Sequence, residues 1–562
     1  MKKILPIFVV SAMCAGLANA GKVYVNHLGF MPHSVKKAVY VNASGAGLTL
    51  RNTTDSSVVK ILTPSEAKLW KPSNELACIV DFSDVTAEGV FAVYEGDNRI
   101  SEPFRIGADV YIDLIKSTLK WYYYQRASVE LPSRHAGIWA REAGHPDDCV
   151  LFYPERVGFN PVSCPKGWYD AGDYGKYIVN SGITVYTLLA LYRDYQPLYD
   201  SLRWNIPEDG NLPDLLAEIK WNLEWMLSMQ DSDGGVYHKL TTGVFCGSIT
   251  PAEDTAQRYI VMKTTAASYD FAAVTALASE IYAPYDEKLS TACKHAAVRA
   301  FEWAENNPKV YYTQPAGMNT GEYGDRNVND ERMWAAVSMA LVDSAYRDIP
   351  DEVVNSAGLY ASAASWQDVV MLGFFEIVRH PEIFGEKRVE AARASLLKSA
   401  RLLLNTVKNS GYGLSMTEND FIWGSNSVIA NQAILMLHAY YLTHEREFVE
   451  AAQSALDYIL GRNPLGMSFV TGFGNKSPEY PHHRPSESDK IAVPIPGMVV
   501  GGPNAGGQDV RDGCRNYVVA DKPALSYIDA QCSYASNETA INWNAPLAYL
   551  AGALYSLNMK NK

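Results

Sequence analysis

Two aspartates three residues apart, Asp170 and Asp173, bracket an Ala-Gly pair in Trp168-Tyr169-Asp170-Ala171-Gly172-Asp173-Tyr174-Gly175-Lys176-Tyr177. Neither a helical stripe nor a strand alternation accounts for acids at those positions. Lys176 is the one cation in the stretch near enough in sequence to pair with either. Small residues between the acids allow a ligand to approach the backbone closely. Aromatic faces beside acids suit a sugar, whose C–H faces stack on rings while its hydroxyls take polar partners. The same ten residues also read as a turn followed by a helix cap, because Asp is a favoured N-cap residue.

Two more groups carry chemistry. In Tyr480-Pro481-His482-His483-Arg484, two imidazoles and a guanidinium are suited to anions, to a metal, or to sugar hydroxyls. As a metal site the cluster is poor, since adjacent histidines point apart and Glu479 is the only acid nearby. A structural loop held by Arg484 is the plain alternative. Glu538 stands where a loop enters an otherwise apolar helix; that setting raises a carboxyl pKa, as a general acid requires. Were Asn537 an N-cap, the helix dipole would instead lower it.

These groups need a scaffold. From Gly21 to about Ile106, short β runs (Val23–Val25, Ala38–Val41, Cys78–Val80, Val90–Tyr94) alternate with Gly, Asn, Asp and Ser turns, the pattern of a small sandwich. From Asp109 onward the period becomes helical, with roughly eleven or twelve helices and no strand pattern between them, which excludes a doubly wound sheet and favours an α/α barrel. Residues 463–536 break this pattern. They are dense in Gly and Pro, and their histidines, aromatics and two cysteines mark them as the ordered rim of a cleft.

A 562-residue chain with 48% apolar and 20% charged residues is globular and large enough for more than one domain. Its net charge of −13 argues against nucleic acid or an anionic membrane surface as partner. Lys2 and Lys3, an apolar run from Ile4 to Leu17 and Ala18-Asn19-Ala20 read as a cleaved export signal, so a secreted or periplasmic location is expected. Seven cysteines follow that segment, an odd number that leaves a free thiol. Cys78 and Cys293 read as buried thiols. The chain ends soon after its last periodic stretch, so no appended carbohydrate-binding module is expected, and the protein is read as a monomer.

Three signatures in the right order resemble glycoside hydrolase family 9, the inverting cellulase family with an (α/α)6 barrel. They are Asp170-Ala171-Gly172-Asp173; Ser468–Thr471, Gly474, Lys476 and Pro481-His482-His483-Arg484; and Tyr527, Asp529, Tyr534, Glu538, Ala540, Asn544 and Ala545. Val25–Phe30 resembles the start of the Ig-like module that precedes many such domains, and Asp330–Ala336 and Trp423–Asn426 also look familial. The resemblance implies a mainly α protein divided into residues 1–20 (signal), 21–108 (Ig-like β-sandwich) and 109–562 (barrel). It implies Asp173 as general base, Asp170 as its helper in holding the water, and Glu538 as general acid, with acid and base roughly 6.5–9.5 Å apart. It also implies that His482 and Arg484 bind sugar hydroxyls, that Asp529 and Tyr534 support the same subsite, and that Trp423 binds substrate.

The resemblance further implies a β-1,4-glucan hydrolase, endo-acting on cellulose or soluble glucans. The alternatives are an exo-acting cellodextrinase, a glucosaminidase on chito-oligosaccharides, or a non-catalytic carbohydrate-binding protein. No cofactor is needed for the chemistry. Many relatives hold a structural zinc through two cysteines and two histidines before the paired aspartates. Here Cys149 and Cys164 are present, but Pro165 and Tyr169 stand where the histidines would, so zinc is not expected. A Cys149–Cys164 disulfide is expected instead, with a second between Cys514 and Cys532. Structural calcium occurs in the family but its ligands here are unassigned; Asp231-Ser232-Asp233-Gly234-Gly235 resembles half a calcium loop and reads better as a turn.

Overall fold

A computed structural model describes residues 21–43, 47–154, 160–356 and 362–560. The expected signal segment, residues 1–20, lies outside them. The N-terminal strands form two facing sheets. One orders Lys22–Tyr24, Lys37–Val41, Glu75–Asp81 and Lys68–Trp70; the other orders Gly29–Phe30, Phe104–Ile106, Gly89–Glu95, Leu48–Asn52 and Val58–Leu62, with Asn98–Arg99 folded back on Gly89–Glu95. Lys37–Val41 is apolar at successive positions because both its faces are covered. Ala38 and Tyr40 enter the sandwich core with Phe91 and Val93, while Val39 and Val41 join the core of the helical region. The two modules thus share buried surface. Polar ties reinforce it, with His27 N donating to Leu460 O at 2.9 Å and Asn26 Nδ2 to Asp457 Oδ1 at 2.9 Å.

The helical region is a double ring. The inner helices are Ile178–Asp194, Thr265–Tyr282, Asn329–Val342, Val370–Arg379, Ser425–Thr443 and Ile541–Lys560. Outside them lie Ile112–Tyr124, Asp214–Ser228, Glu287–Asn306, Asp351–Ser356, Pro381–Asn409 and Arg446–Ile459. Position in the ring is legible in composition. Thr265–Tyr282 buries every residue except Glu280, and its alanines let neighbouring helices approach. Glu287–Asn306 buries only Leu289, Cys293, Ala296, Ala297, Ala300 and Ala304, the stripe of an outer helix. Both start on side-chain caps, Thr264 accepting from Ala267 N and Asp286 from Leu289 N, each worth about 1 kcal/mol. Asp351–Ser356 is too short to show a helical period.

One expectation fails here. The helical region contains a four-stranded sheet, ordered Leu151–Tyr153, Tyr259–Lys263, Tyr237–Thr241 and Lys176–Tyr177. Strands of two to five residues are too short to display alternation. The sheet joins Lys176–Tyr177, just beyond the paired aspartates, to Tyr237–Thr241 with Lys176 opposite Leu240. The rim of residues 463–536 carries only short helical turns, such as Arg484–Ser488 and Tyr534–Asn537. Side chains satisfy its buried backbone: Asn544 accepts from Val499 N at 2.8 Å and donates to Thr118 O at 2.9 Å and Gly497 O at 3.1 Å.

Candidate active site

The loop Asp170–Gly175 is fixed at nearly every residue. Ile541 N, at the start of the last inner helix, donates to Asp170 O at 2.8 Å, and Asp170 N donates to Gly175 O at 3.0 Å. Gln125 Nε2 donates to Ala171 O at 3.0 Å, and Arg484 N and Nη1 both donate to Gly172 O, at 3.0 and 2.9 Å. Gly172 has no room for a side chain, because a Cβ there would lie 2.4 Å from His482 O. The small residue between the acids therefore admits the rim itself. Lys176 pairs with neither aspartate; its ammonium lies 2.7 Å from Asp147 Oδ2.

The two aspartates are treated differently. Asp170 is buried, its Oδ1 accepting from Asn180 Nδ2 at 2.5 Å and its Oδ2 from Tyr323 OH at 2.6 Å. Burial first, and then the charge of Asp173, push its pKa up to about 8. Asp173 Oδ2 accepts from Gly175 N at 2.8 Å and Tyr177 OH at 3.3 Å, while Oδ1 has no protein partner among the described residues. The turn reading is therefore correct for the Asp173–Gly175 backbone, yet it leaves one carboxylate oxygen open to a water.

Glu538 is not in a first helical turn. Its backbone is extended, it follows the short helix Tyr534–Asn537, and Ile541–Lys560 begins three residues later. Asn537 caps nothing; its side chain donates to Tyr480 O at 2.7 Å and Asp529 Oδ1 at 3.0 Å. Glu538 Oε1 accepts from Gly172 N at 3.3 Å, which sets the third acid against the loop of the first two. Burial, reinforced by the negative charge of Asp173, pushes its pKa well above the usual carboxylate range. A carboxyl whose neutral form is favoured by burial thus lies against the loop that carries one with a free oxygen.

The rim residues divide by direction. His482 Nδ1 lies 2.6 Å from Gln531 O, which assigns the ring proton to Nδ1 and leaves Nε2 as an acceptor. Burial pushes its pKa down, so the ring is neutral at neutral pH. His483 turns inward, its Nε2 2.8 Å from Gln125 Oε1 and its Nδ1 2.9 Å from Ser486 Oγ. Beyond its bonds to Gly172, Arg484 donates from Nε to Cys246 O at 3.0 Å, with the Phe245 ring 5.4 Å from its guanidinium carbon. Tyr534 donates to Asp512, and its ring centroid lies 5.1 Å from Trp423 and 6.2 Å from His482. Trp423 is 41% exposed. These rings pack together, and the backbone of His482 pairs with that of Glu538. Asp529 spends its oxygens on Glu479 N (2.7 Å), Tyr480 N (2.9 Å) and Asn537, so it acts through the rim backbone.

Sequence reasoning missed Tyr323 and Asn180. Tyr323 lies in Gly321-Glu322-Tyr323-Gly324-Asp325, a second aromatic flanked by glycines and acids, and its φ of 45° is left-handed, a costly conformation for tyrosine. Its ring packs against Tyr177 at 4.9 Å and Trp366 at 5.2 Å.

The cysteine and metal expectations are corrected or sharpened. Cys149 and Cys164 form no disulfide: Cys149 is exposed, whereas Cys164 is buried with its Sγ donating to Ser228 O at 3.5 Å. The disulfide joins Cys514 to Cys532. The residues do not fit a zinc either. Where a histidine would stand, the Tyr169 hydroxyl lies 2.7 Å from His145 Nδ1, and His145 Nε2 lies 3.2 Å from Asp254. In the Asp231–Gly235 turn, Lys263 Nζ lies 2.8 Å from Asp231 Oδ2 and 2.6 Å from Asp233 Oδ2, so an ammonium occupies the place a calcium ion would need.

A double ring of helices, with the buried Glu538 carboxyl set against the loop of the paired aspartates and aromatic rings on the rim, defines a glycoside-cleaving hydrolase. The profile of glycosyl hydrolase family 9 matches residues 111–551, and that of the cellulase N-terminal Ig-like domain matches residues 18–99. A xyloglucan-specific endo-β-1,4-glucanase from Bacteroides ovatus is 38% identical over 95% of this chain and 93% of its own length. A cellodextrinase from Butyrivibrio fibrisolvens is 33% identical over 95% of this chain and all of its own. A solved family 9 structure from Bacteroides ovatus superposes with a TM-score of 0.87 at 36% identity, over 95% of this chain and 99% of that one. The chain belongs to glycosyl hydrolase family 9.

Proposed function

We propose that the protein is an exported, inverting hydrolase of β-1,4-linked glucans that cleaves within the chain. The carrying observation is the unequal treatment of two carboxyls on one loop contact: Asp173 keeps an oxygen without a protein partner among the described residues, while Glu538 accepts from Gly172 N and is buried where its pKa is pushed up. Asp173 Oδ1 takes a proton from a water that attacks the anomeric carbon as the glycosidic C–O bond breaks. Glu538 gives its proton to the departing oxygen, and the single displacement inverts the anomeric centre. Asp170, with both oxygens engaged, holds the water-side loop in register. His482 Nε2 accepts from a sugar hydroxyl, Arg484 offers its remaining N–H groups, and Trp423 and Tyr534 stack on sugar faces. The two carboxyls and a water supply this chemistry without a cofactor.

The activities named for the relatives support a β-glucan substrate, with endo action on xyloglucan in one and cellodextrinase activity in the other. The export reading rests on the leader pattern and agrees with the Cys514–Cys532 disulfide. The test compares viscosity with reducing ends during digestion of carboxymethylcellulose and xyloglucan. Endo action predicts viscosity collapsing before many ends appear. Proportional change, with cellobiose or glucose as the first product, contradicts it in favour of the exo-acting reading.

A further inference from the structure

Three charged side chains that the mechanism does not use converge behind the paired aspartates. Asp147 and Lys176 are fully buried as side chains, and Arg258 nearly so. Arg258 Nε lies 3.0 Å from Asp147 Oδ1 and Nη2 3.4 Å from Oδ2, while Lys176 Nζ lies 2.7 Å from Oδ2. We propose that Asp147, Lys176 and Arg258 form a metal-free ionic clamp that positions the general-base loop. The inference rests on the reading of Asp173 as base.

The clamp reaches the loop directly. Arg258 Nη1 donates to the carbonyl of Tyr174, the residue after Asp173, at 2.8 Å. Lys176, two residues further on, also donates to Cys164 O at 3.2 Å and Lys166 O at 2.7 Å, so its ammonium is saturated by one carboxylate and two carbonyls. Residues 147, 164–166 and 174–176 meet Arg258, much further along the chain, at these two cations. The small sheet brings them together, because Lys176 begins one edge strand, Arg258 immediately precedes Tyr259–Lys263, and Asp147 precedes Leu151–Tyr153. Asp147 holds a left-handed φ of 49°, a conformation that persists where surrounding contacts over-determine it.

The ammonium of Lys176 and the guanidinium of Arg258 supply the positive charge that balances Asp147 and ties these segments together. A buried ion pair is strongly destabilising to break from one side, so the three residues act as a unit. Positioning is the expected payoff, since small displacements of a reacting group cost rate rather than binding.

The test measures kcat, KM and melting temperature for the wild type, Arg258→Lys, Asp147→Asn and Asp173→Ala, with and without EDTA and 1,10-phenanthroline. Arg258→Lys keeps the charge but loses the fork that reaches Asp147 and Tyr174 together. Assayed well below its melting temperature and folded by circular dichroism, it is expected to lose kcat by roughly 10- to 100-fold with KM little changed. Asp147→Asn should do the same if it folds; Arg258→Lys carries the test if it does not. Chelators should leave wild-type kcat and melting temperature unmoved. Full kcat in folded Arg258→Lys, or loss of wild-type activity or stability with chelator, overturns the clamp. Retained activity in Asp173→Ala overturns the base assignment instead, while the chelator and melting arms still judge the clamp.

Discussion

At the scale of single residues, the hydrogen-bond partners separate the three acids: Asp170 has both oxygens engaged, Asp173 has one open, and Glu538 accepts from Gly172 N. Glu538→Gln should lower kcat on cello-oligosaccharides by roughly 10²- to 10⁴-fold, the usual contribution of a general acid. The loss should shrink on a glycosyl fluoride, whose leaving group needs no proton, and an equal loss on both substrates argues against the acid role. Asp170 makes a pH prediction. Its folded pKa of about 8 lies above the ordinary 3.8, so the folded chain holds a proton that the unfolded chain releases. Stability from that proton is full below about pH 4 and is lost as pH rises towards 8. Asp170→Asn, which cannot ionise, should therefore gain melting temperature relative to wild type across that window; an offset independent of pH contradicts the buried, proton-holding carboxyl. Tyr323→Phe removes one of the two bonds to Asp170 and should cost up to roughly tenfold in kcat with little change in KM, as a bond to a neutral carboxyl of about 0.5–1.5 kcal/mol allows. The three acids, His482 and Arg484 were legible because each stands in a dense local signature. Tyr323 and Asn180 were not, since their role exists only where the chain brings residues 180 and 323 to residue 170.

At the scale of elements, the rim is held by side chains rather than by ladders. Asp529 ties Glu479 and Tyr480 to Asn537, and so sets His482 on one side and Glu538 on the other. The Cys514–Cys532 bridge closes a sequence separation of 18 next to Gln531, whose carbonyl fixes the His482 ring. Replacing both cysteines by serine should cost about 3 kcal/mol by loop-closure entropy and should raise KM more than it lowers kcat, readable by denaturant unfolding and steady-state kinetics. Unchanged stability in the double variant would remove the bridge from the account. The long helices could be read from apolar period, since each buries a stripe or its whole circumference. The small sheet escaped because its strands are too short to alternate, and with it escaped the pairing of Lys176 to Asp147. The Cys149–Cys164 disulfide, expected in place of a zinc, is not formed because the two cysteines lie at different depths, one exposed and one buried.

At the scale of the whole molecule, the sandwich is part of the barrel's foundation. Val39, Val41 and Trp70 belong to the barrel's own core, and Trp70 packs on Tyr412 at 4.3 Å between ring centroids. Asp457, buried on an outer helix, depends on Asn26 from the sandwich as well as on Gln453. A chain starting at residue 109 would expose this apolar face and leave Asp457 short of a partner. It should melt well below the full-length protein, and equal melting temperatures would show the sandwich to be dispensable. The sequence signalled two modules through the switch from β to helical texture, but not their shared core, which is made by strand faces whose second partner lies hundreds of residues away. The central claim is a single displacement by a water activated at Asp173. Proton NMR of the anomer first formed from a β-linked cello-oligosaccharide tests it most directly: the α-anomer should appear first and mutarotate afterwards, and a first-formed β-anomer would contradict the account.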